Sequence, residues 1–171
     1  MPEGRRGARA HDETLTGEHR LGDAGQAIFA VLFAAVWVAD AFFLRATTGG
    51  NGVVPFVVRA PIGVAVLIIS GWMARTGLRI VFGEKREKPE VIRKGVFGVV
   101  RHPIYLSEIL LYLGLLLLSL SLAATAVWIA ATLFLVFLCR HEERLLLKRF
   151  GEEYARYMRD VPMLFPRLRR K

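Results

Sequence analysis

The sequence predicts an all-α, polytopic membrane protein with about four transmembrane helices and a cytoplasmic C-terminal helical segment. Three observations carry this expectation. Of 171 residues, 54% are hydrophobic, and they are gathered in blocks. Three of those blocks are long enough to matter to a bilayer, whose hydrocarbon core of ~30 Å takes about 20 helical residues. The 24 Lys and Arg residues are confined almost wholly to the segments before, between and after the blocks.

Residues 1–23 mix charge, Gly and Thr with little apolar content and read as a loose tail. Residues 24–44 contain one charge, Asp40, and make the first span. This run is long, starts late and lacks a cleavage site, so it reads as a span and not as a signal peptide. Residues 60–74 contain no charge, and the segment RTGLRIVF extends this second span to residue 82. Residues 103–139 contain a single charge, Glu108. As one helix this block would run on the order of 55 Å, so it must fold back as two spans, about 103–120 and 123–140. The turn falls within residues 119–124, although no Gly or Pro marks it.

Lys and Arg number four in residues 1–23, two in 45–59, eight in 75–101 and ten in 140–171. The positive-inside rule places the two richest segments in the cytoplasm. With four spans the N-terminus is cytoplasmic as well, and the loop TTGGNG at 47–52 faces outward. A plasma (inner) membrane location follows from that reading. The net charge of +9 is explained by topology and by attraction to anionic lipid head groups, so no nucleic-acid partner is expected. The lone Cys139 rules out a disulfide framework within the chain and a cysteine-only metal site.

The third and fourth spans form a hairpin whose two ends meet on the cytoplasmic side. RHPIYLSE (101–108) is thereby brought next to CRHEERLLLKRFGEEY (139–154). Pro103 suits the first turn of a helix. Arg101 and His102 do not, because a helix N-terminus carries partial positive charge and two basic groups there call for a negative partner. Arg101, Tyr105, Glu108 and Tyr112 follow at i, i+4, i+7 and i+11, one stripe on one face. Glu108 lies more than a turn inside the apolar run, where a carboxylate faces protein or a polar cavity. On the next helix Glu143 shares a face with Leu146, Leu147 and Phe150. Glu142 lies with Arg149 instead and reads as an ordinary surface charge.

Each residue also has an ordinary explanation. Arg101 and His102 are equally well accounted for by binding lipid phosphates. Tyr105 and Tyr112 suit an interfacial belt or core packing. Glu108 suits a structural partnership with Arg101, and Glu142 and Glu143 suit pairing along their own helix. Asp40 reads as snorkelling or capping, and Arg75 and Arg79 as snorkelling. These explanations leave the convergence of so many polar groups at one end of one hairpin unaddressed.

RHPIY at 101–105 and EERLLLKRFGEEYARYMRDVP at 142–162 together resemble the isoprenylcysteine carboxyl methyltransferase and phospholipid methyltransferase group of small integral membrane enzymes. Gly95, Arg101, His102, Pro103, Tyr105, Glu142, Glu143, Phe150, Gly151, Tyr154, Tyr157, Val161, Pro162 and Pro166 stand in register with the group's pattern. Phe97 departs from it, replacing a tyrosine. The resemblance covers about residues 80–166 and implies a methyltransferase-like unit over 24–171 that uses S-adenosylmethionine. It implies a cofactor site of Arg101, His102, Pro103, Tyr105, Glu142 and Glu143, with no metal. Arg101 and His102 would meet the cofactor's carboxylate, Glu143 or else Glu142 its ammonium or ribose hydroxyls. Arg101, His102 and Glu108 are the catalytic candidates, His102 or Glu108 serving as base where the acceptor must lose a proton. The acceptor implied is lipophilic, either lipid-like or isoprenylcysteine-like, with a carboxyl, thiol or amine as the atom methylated. Two alternatives stay open: an NADPH-dependent membrane sterol or steroid reductase, and a non-enzymatic four-helix membrane protein that binds lipid.

The charge distribution generates a direct test. With Cys139→Ser as background, a Gly50→Cys variant should react with an impermeant thiol reagent only from outside the cell. Labelling from the cytoplasmic side would reject the four-span topology.

Overall fold

The structure, a computed structural model, describes residues 20–83 and 90–166. Residues 1–19 of the expected N-terminal tail lie outside the described residues. Among the described residues every regular element is helical. Helix α1 (Arg20–Val38) runs into a π-helical turn, Ala39–Leu44. Helix α2 spans Phe56–Phe82, α3 Pro103–Ser119, α4 Leu122–Phe150 and α5 Glu152–Asp160. Short 3-10 turns occupy Gly49–Gly52 and Gly95–Gly98. Three segments, Gly22–Leu44, Phe56–Phe82 and Leu122–Phe150, are long and apolar enough to cross a membrane, and α3 is a shorter apolar helix. The chain is therefore an all-α polytopic membrane protein, with three helices of spanning length and the shorter apolar α3, about 26 Å long.

Helices α2 and α3 approach through small residues. Gly63, Ser70 and Gly77 recur every seven residues on α2, and Ser107 and Gly114 do so on α3, a spacing that keeps one line of a helix against its partner. A methyl group at Gly114 would come within 2.7 Å of Leu67, and one at Gly77 within 2.9 Å of Ile104. Ser70 Oγ donates to the Ser107 carbonyl (2.7 Å). Lipid tails are as apolar as leucine, so tight backbone approach and interhelical hydrogen bonds of this kind hold membrane helices together. Helix α1 packs against α4 instead: the Phe29 and Phe134 rings lie 5.2 Å apart, and Phe33, Tyr112, Leu116, Ala124 and Ala131 form a shared cluster.

The turn between α3 and α4 is made without glycine. Leu120 takes left-handed geometry (φ 50°) and its N–H donates to the Leu116 carbonyl (2.7 Å), a conformation that costs a non-glycine residue about 1–2 kcal/mol. Ser121 caps α4, accepting from the Ala124 N–H (3.1 Å). Asp40, 3% exposed, accepts from Ser121 Oγ (2.5 Å), Thr47 Oγ1 (2.5 Å) and the Thr47 N–H (3.1 Å). Trp37 Nε1 donates to Ser119 Oγ (3.0 Å). Asp40 thus caps by way of Ser121, and it does not snorkel. Arg59 belongs to α2 and not to the preceding loop. It is buried, with Nη1 donating to the carbonyls of Leu117 (3.3 Å) and Leu118 at the end of α3, where the helix dipole favours a cation.

The α2–α3 contact makes a paired prediction. Gly114→Ala should lower thermal stability in detergent by roughly 1–3 kcal/mol, the usual range for overpacking. Gly71→Ala, with nothing within 4 Å of the added carbon, should be neutral or slightly stabilising, because alanine favours helix over glycine. Equal shifts in the two melting curves would mean that small residues do not set this interface.

Candidate active site at the open end of the helical hairpin

The loop entering α3 decides the geometry. Val100 is fully buried, and His102 is the N-cap residue of α3 at φ −121°, ψ 65°, with Pro103 at the first helical position. Arg101 therefore precedes the helix, and the expected stripe of 101, 105, 108 and 112 begins only at Tyr105. The chain itself supplies the negative partner that Arg101 calls for. Its Nε donates to Glu143 Oε1 at 2.7 Å, both side chains being 8% exposed. Its Nη1 donates to the carbonyls of Met158 (2.9 Å) and Val161 (2.5 Å). Arg101 thus stands at the C-terminal end of α5, where a cation is favoured, and close to the start of α3.

His102 is buried between both glutamates. Its Nε2 donates to Glu143 Oε1 (3.2 Å), and its Nδ1 lies 3.6 Å from Glu142 Oε2. The imidazole stacks on Tyr105, with ring centres 5.8 Å apart. The Tyr105 hydroxyl donates to Glu142. Glu143 lies on the packed face, as its helical phase implies. Glu142 is also turned inward, held by a phenol, with 19% of its side chain exposed. Helical phase alone made Glu142 an ordinary surface charge; the Tyr105 hydroxyl, reaching across from the neighbouring helix, turns it inward.

Arg101, His102, Tyr105, Glu142 and Glu143 are thus brought together across more than forty positions of sequence. Glu108 makes a different contact. It accepts from the Tyr112 hydroxyl (2.6 Å), and Tyr112 stacks on Phe33 at 4.3 Å. Glu108 is therefore not the partner of Arg101 but lies one turn deeper along α3 than Tyr105.

The C-terminal region contributes main-chain carbonyls that no sequence motif announces. The Arg101 N–H donates to the Pro162 carbonyl (2.9 Å) and the His102 N–H to the Met163 carbonyl (3.1 Å). Gly151, at φ 53°, ends α4 and lets α5 turn back. Tyr154 and Tyr157 of α5, spaced i and i+3, are both 3% exposed, and burial holds each phenol well above the ordinary tyrosine range, so that both stay protonated. Tyr157 donates to the Phe97 carbonyl (2.7 Å), and the Arg93 guanidinium sits over its ring at 5.6 Å. The tyrosine spacing was visible in the sequence; the carbonyl acceptors were not.

Comparison with known proteins gives two findings. Residues 58–153 match the family described as phospholipid methyltransferase. The cobalt-zinc-cadmium resistance protein CzcN of Cupriavidus metallidurans is 31% identical over 164 residues, covering 94% of this chain and 69% of that protein. No solved structure matches.

The ion pair predicts unequal glutamates. Glu143→Ala strands a buried guanidinium and should cost about 3–5 kcal/mol of stability. Glu142→Ala removes the acceptor of the Tyr105 phenol and a longer contact with His102 Nδ1 but strands no buried charge, and should cost about 1.5–3 kcal/mol. Denaturation of the two variants beside the wild type checks this, and equal losses would mean that Glu143 is not the anchor of Arg101.

Proposed function

The chain belongs to the phospholipid methyltransferase family, and from that premise we propose that it is an integral membrane methyltransferase that uses S-adenosylmethionine to methylate a lipophilic acceptor. The observation that carries this reading is the cluster of His102, Tyr105 and Glu142, held from behind by Arg101 and Glu143. The donor set suits the cofactor. S-adenosylmethionine has a carboxylate, an ammonium, a ribose diol and a sulfonium. Glu142, reachable from outside, is suited to the ammonium or the ribose hydroxyls. The stacked rings of His102 and Tyr105 give an aromatic surface favourable to a cation. The first turn of α3, which has no side-chain cap and opens with Pro103, is suited to the carboxylate.

When bound, the cofactor supplies a methyl group on a positively charged sulfur, an electrophile with a good leaving group. The residues here then have mainly to align the partners and exclude water. Arg101 and Glu143 fix His102. A carboxylate or thiolate acceptor needs no base near neutral pH. An ammonium or thiol acceptor must lose a proton, and Glu108, oriented by Tyr112, or His102 is positioned to take it. An acceptor held in the bilayer reaches the site between helices, and an isoprenylcysteine-like carboxyl fits this reading as well as a lipid amine or thiol. The reading includes cytoplasmic termini, a site at the cytoplasmic face and a plasma-membrane location.

Labelled S-adenosylmethionine should bind the detergent-purified protein saturably, and NADPH should not displace it. Arg101→Lys should weaken binding about tenfold, because one ammonium cannot reach Glu143 and two carbonyls together. His102→Ala should weaken it similarly. Binding of NADPH in place of S-adenosylmethionine would favour a reductase; binding of neither would favour a non-enzymatic protein.

A further inference from the structure

Outside the ring of side chains just described, the feature with most consequence is the way the C-terminal segment grips the entrance to α3. Five hydrogen bonds converge on residues 97–102, and none uses an acceptor side chain. Tyr157 donates to the Phe97 carbonyl (2.7 Å). The carbonyls of Met158 and Val161 accept from Arg101 Nη1. The carbonyls of Pro162 and Met163 accept from the N–H groups of Arg101 and His102. Val161 is 9% and Leu164 2% exposed, and Leu164 joins the core cluster that contains Val100. Exposed Arg159 and Asp160 interrupt this stretch and exposed Phe165 follows it; Val161, Leu164 and the partly buried Met158 and Met163 anchor it by packing against the core.

We infer that Tyr157 and residues 158–163 act as a positioning strap for His102, and that docking of the strap and binding of the cofactor reinforce each other. This rests on the methyltransferase reading above. The strap carries no reacting group. It acts through His102, whose backbone N–H it fixes directly and whose imidazole it fixes through Arg101 and Glu143. An undocked strap leaves the Arg101 guanidinium without two of its acceptors and both N–H groups unpaired, which costs on the order of 1–3 kcal/mol for each buried group. The geometry around His102 is then no longer defined. Tyr157 is accordingly a positioning residue and not a catalytic one. By linkage, a ligand that needs His102 in place must stabilise the docked strap, and the docked strap must raise the ligand's affinity by the same factor.

Hydrogen exchange read by mass spectrometry on the full chain in detergent tests this. The amides of Arg101 and His102 report the strap, because their acceptors are Pro162 and Met163. Saturating S-adenosylmethionine should slow their exchange at least threefold in the wild type. Tyr157→Phe should speed exchange at both amides and weaken cofactor binding roughly three- to tenfold per folded molecule, the loss of about one hydrogen bond. Leu164→Ala, which removes the apolar anchor and no polar group, should move both readouts in the same direction, with melting curves taken alongside to count folded protein. Cofactor binding with no protection of these amides would overturn the coupling, and so would normal affinity in a variant whose amides exchange faster. Absence of any S-adenosylmethionine binding by the wild type is a different result, defeating the methyltransferase reading and the inference with it.

Discussion

The pairing of Arg101 with Glu143 constrains the rest of the molecule. Two charges taken out of water are tolerated only when their remaining hydrogen-bonding capacity is met. Glu143 lies on α4 and Arg101 just before α3, 42 positions earlier. The other acceptors of Arg101 are carbonyls at the end of α5 and just beyond it. One guanidinium therefore specifies where three chain segments must lie. The turn at Gly151 and the return of the tail are what it takes to complete that set of contacts.

The opposite end of the bundle solves a similar problem with different chemistry. Asp40 and Arg59 are both buried, 3% and 7% exposed. Neither is paired with the other in the contacts that hold them. Asp40 draws on hydroxyls and an N–H, while Arg59 serves carbonyls left open by the last turn of α3. There the charges fasten a turn. At the Arg101 end, the charges also bring a histidine, a phenol and a partly exposed carboxylate to one place, and that difference makes one end a candidate site and the other a fastening.

Much of the architecture was legible because a bilayer imposes length and polarity on helices more strictly than water does. Blocks 24–44, 60–82 and 103–139 read directly as helices, and the fold-back within the last followed from length alone. Its turn lacked a signal because Leu120 occupies a conformation usually left to glycine. Arg59 was counted with the outer loop because nothing in composition separates a loop arginine from one capping a neighbouring helix. The stripe beginning at Arg101 assumed that helical phase continues backward through His102, and the N-cap geometry breaks it there. Glu143 was found from its apolar neighbours, whereas Glu142 was underrated because phase describes one helix and its partner Tyr105 lies on another. Contacts made by main-chain carbonyls leave no trace in residue identity.

That last property affects how the tail can vary over evolutionary time. Since Arg101 and His102 engage residues 158, 161, 162 and 163 through carbonyl oxygens, which every amino acid has, the side chains at Met158 and Met163 are not specified by those bonds. The same holds for Phe97, whose carbonyl receives Tyr157. Its departure from tyrosine leaves that contact untouched. One apolar side chain can therefore replace another at 158 and 163, which pack against the core, and residue 97 can change, while the path of the backbone is kept, so sequence divergence at these positions is a poor measure of divergence in the site they support.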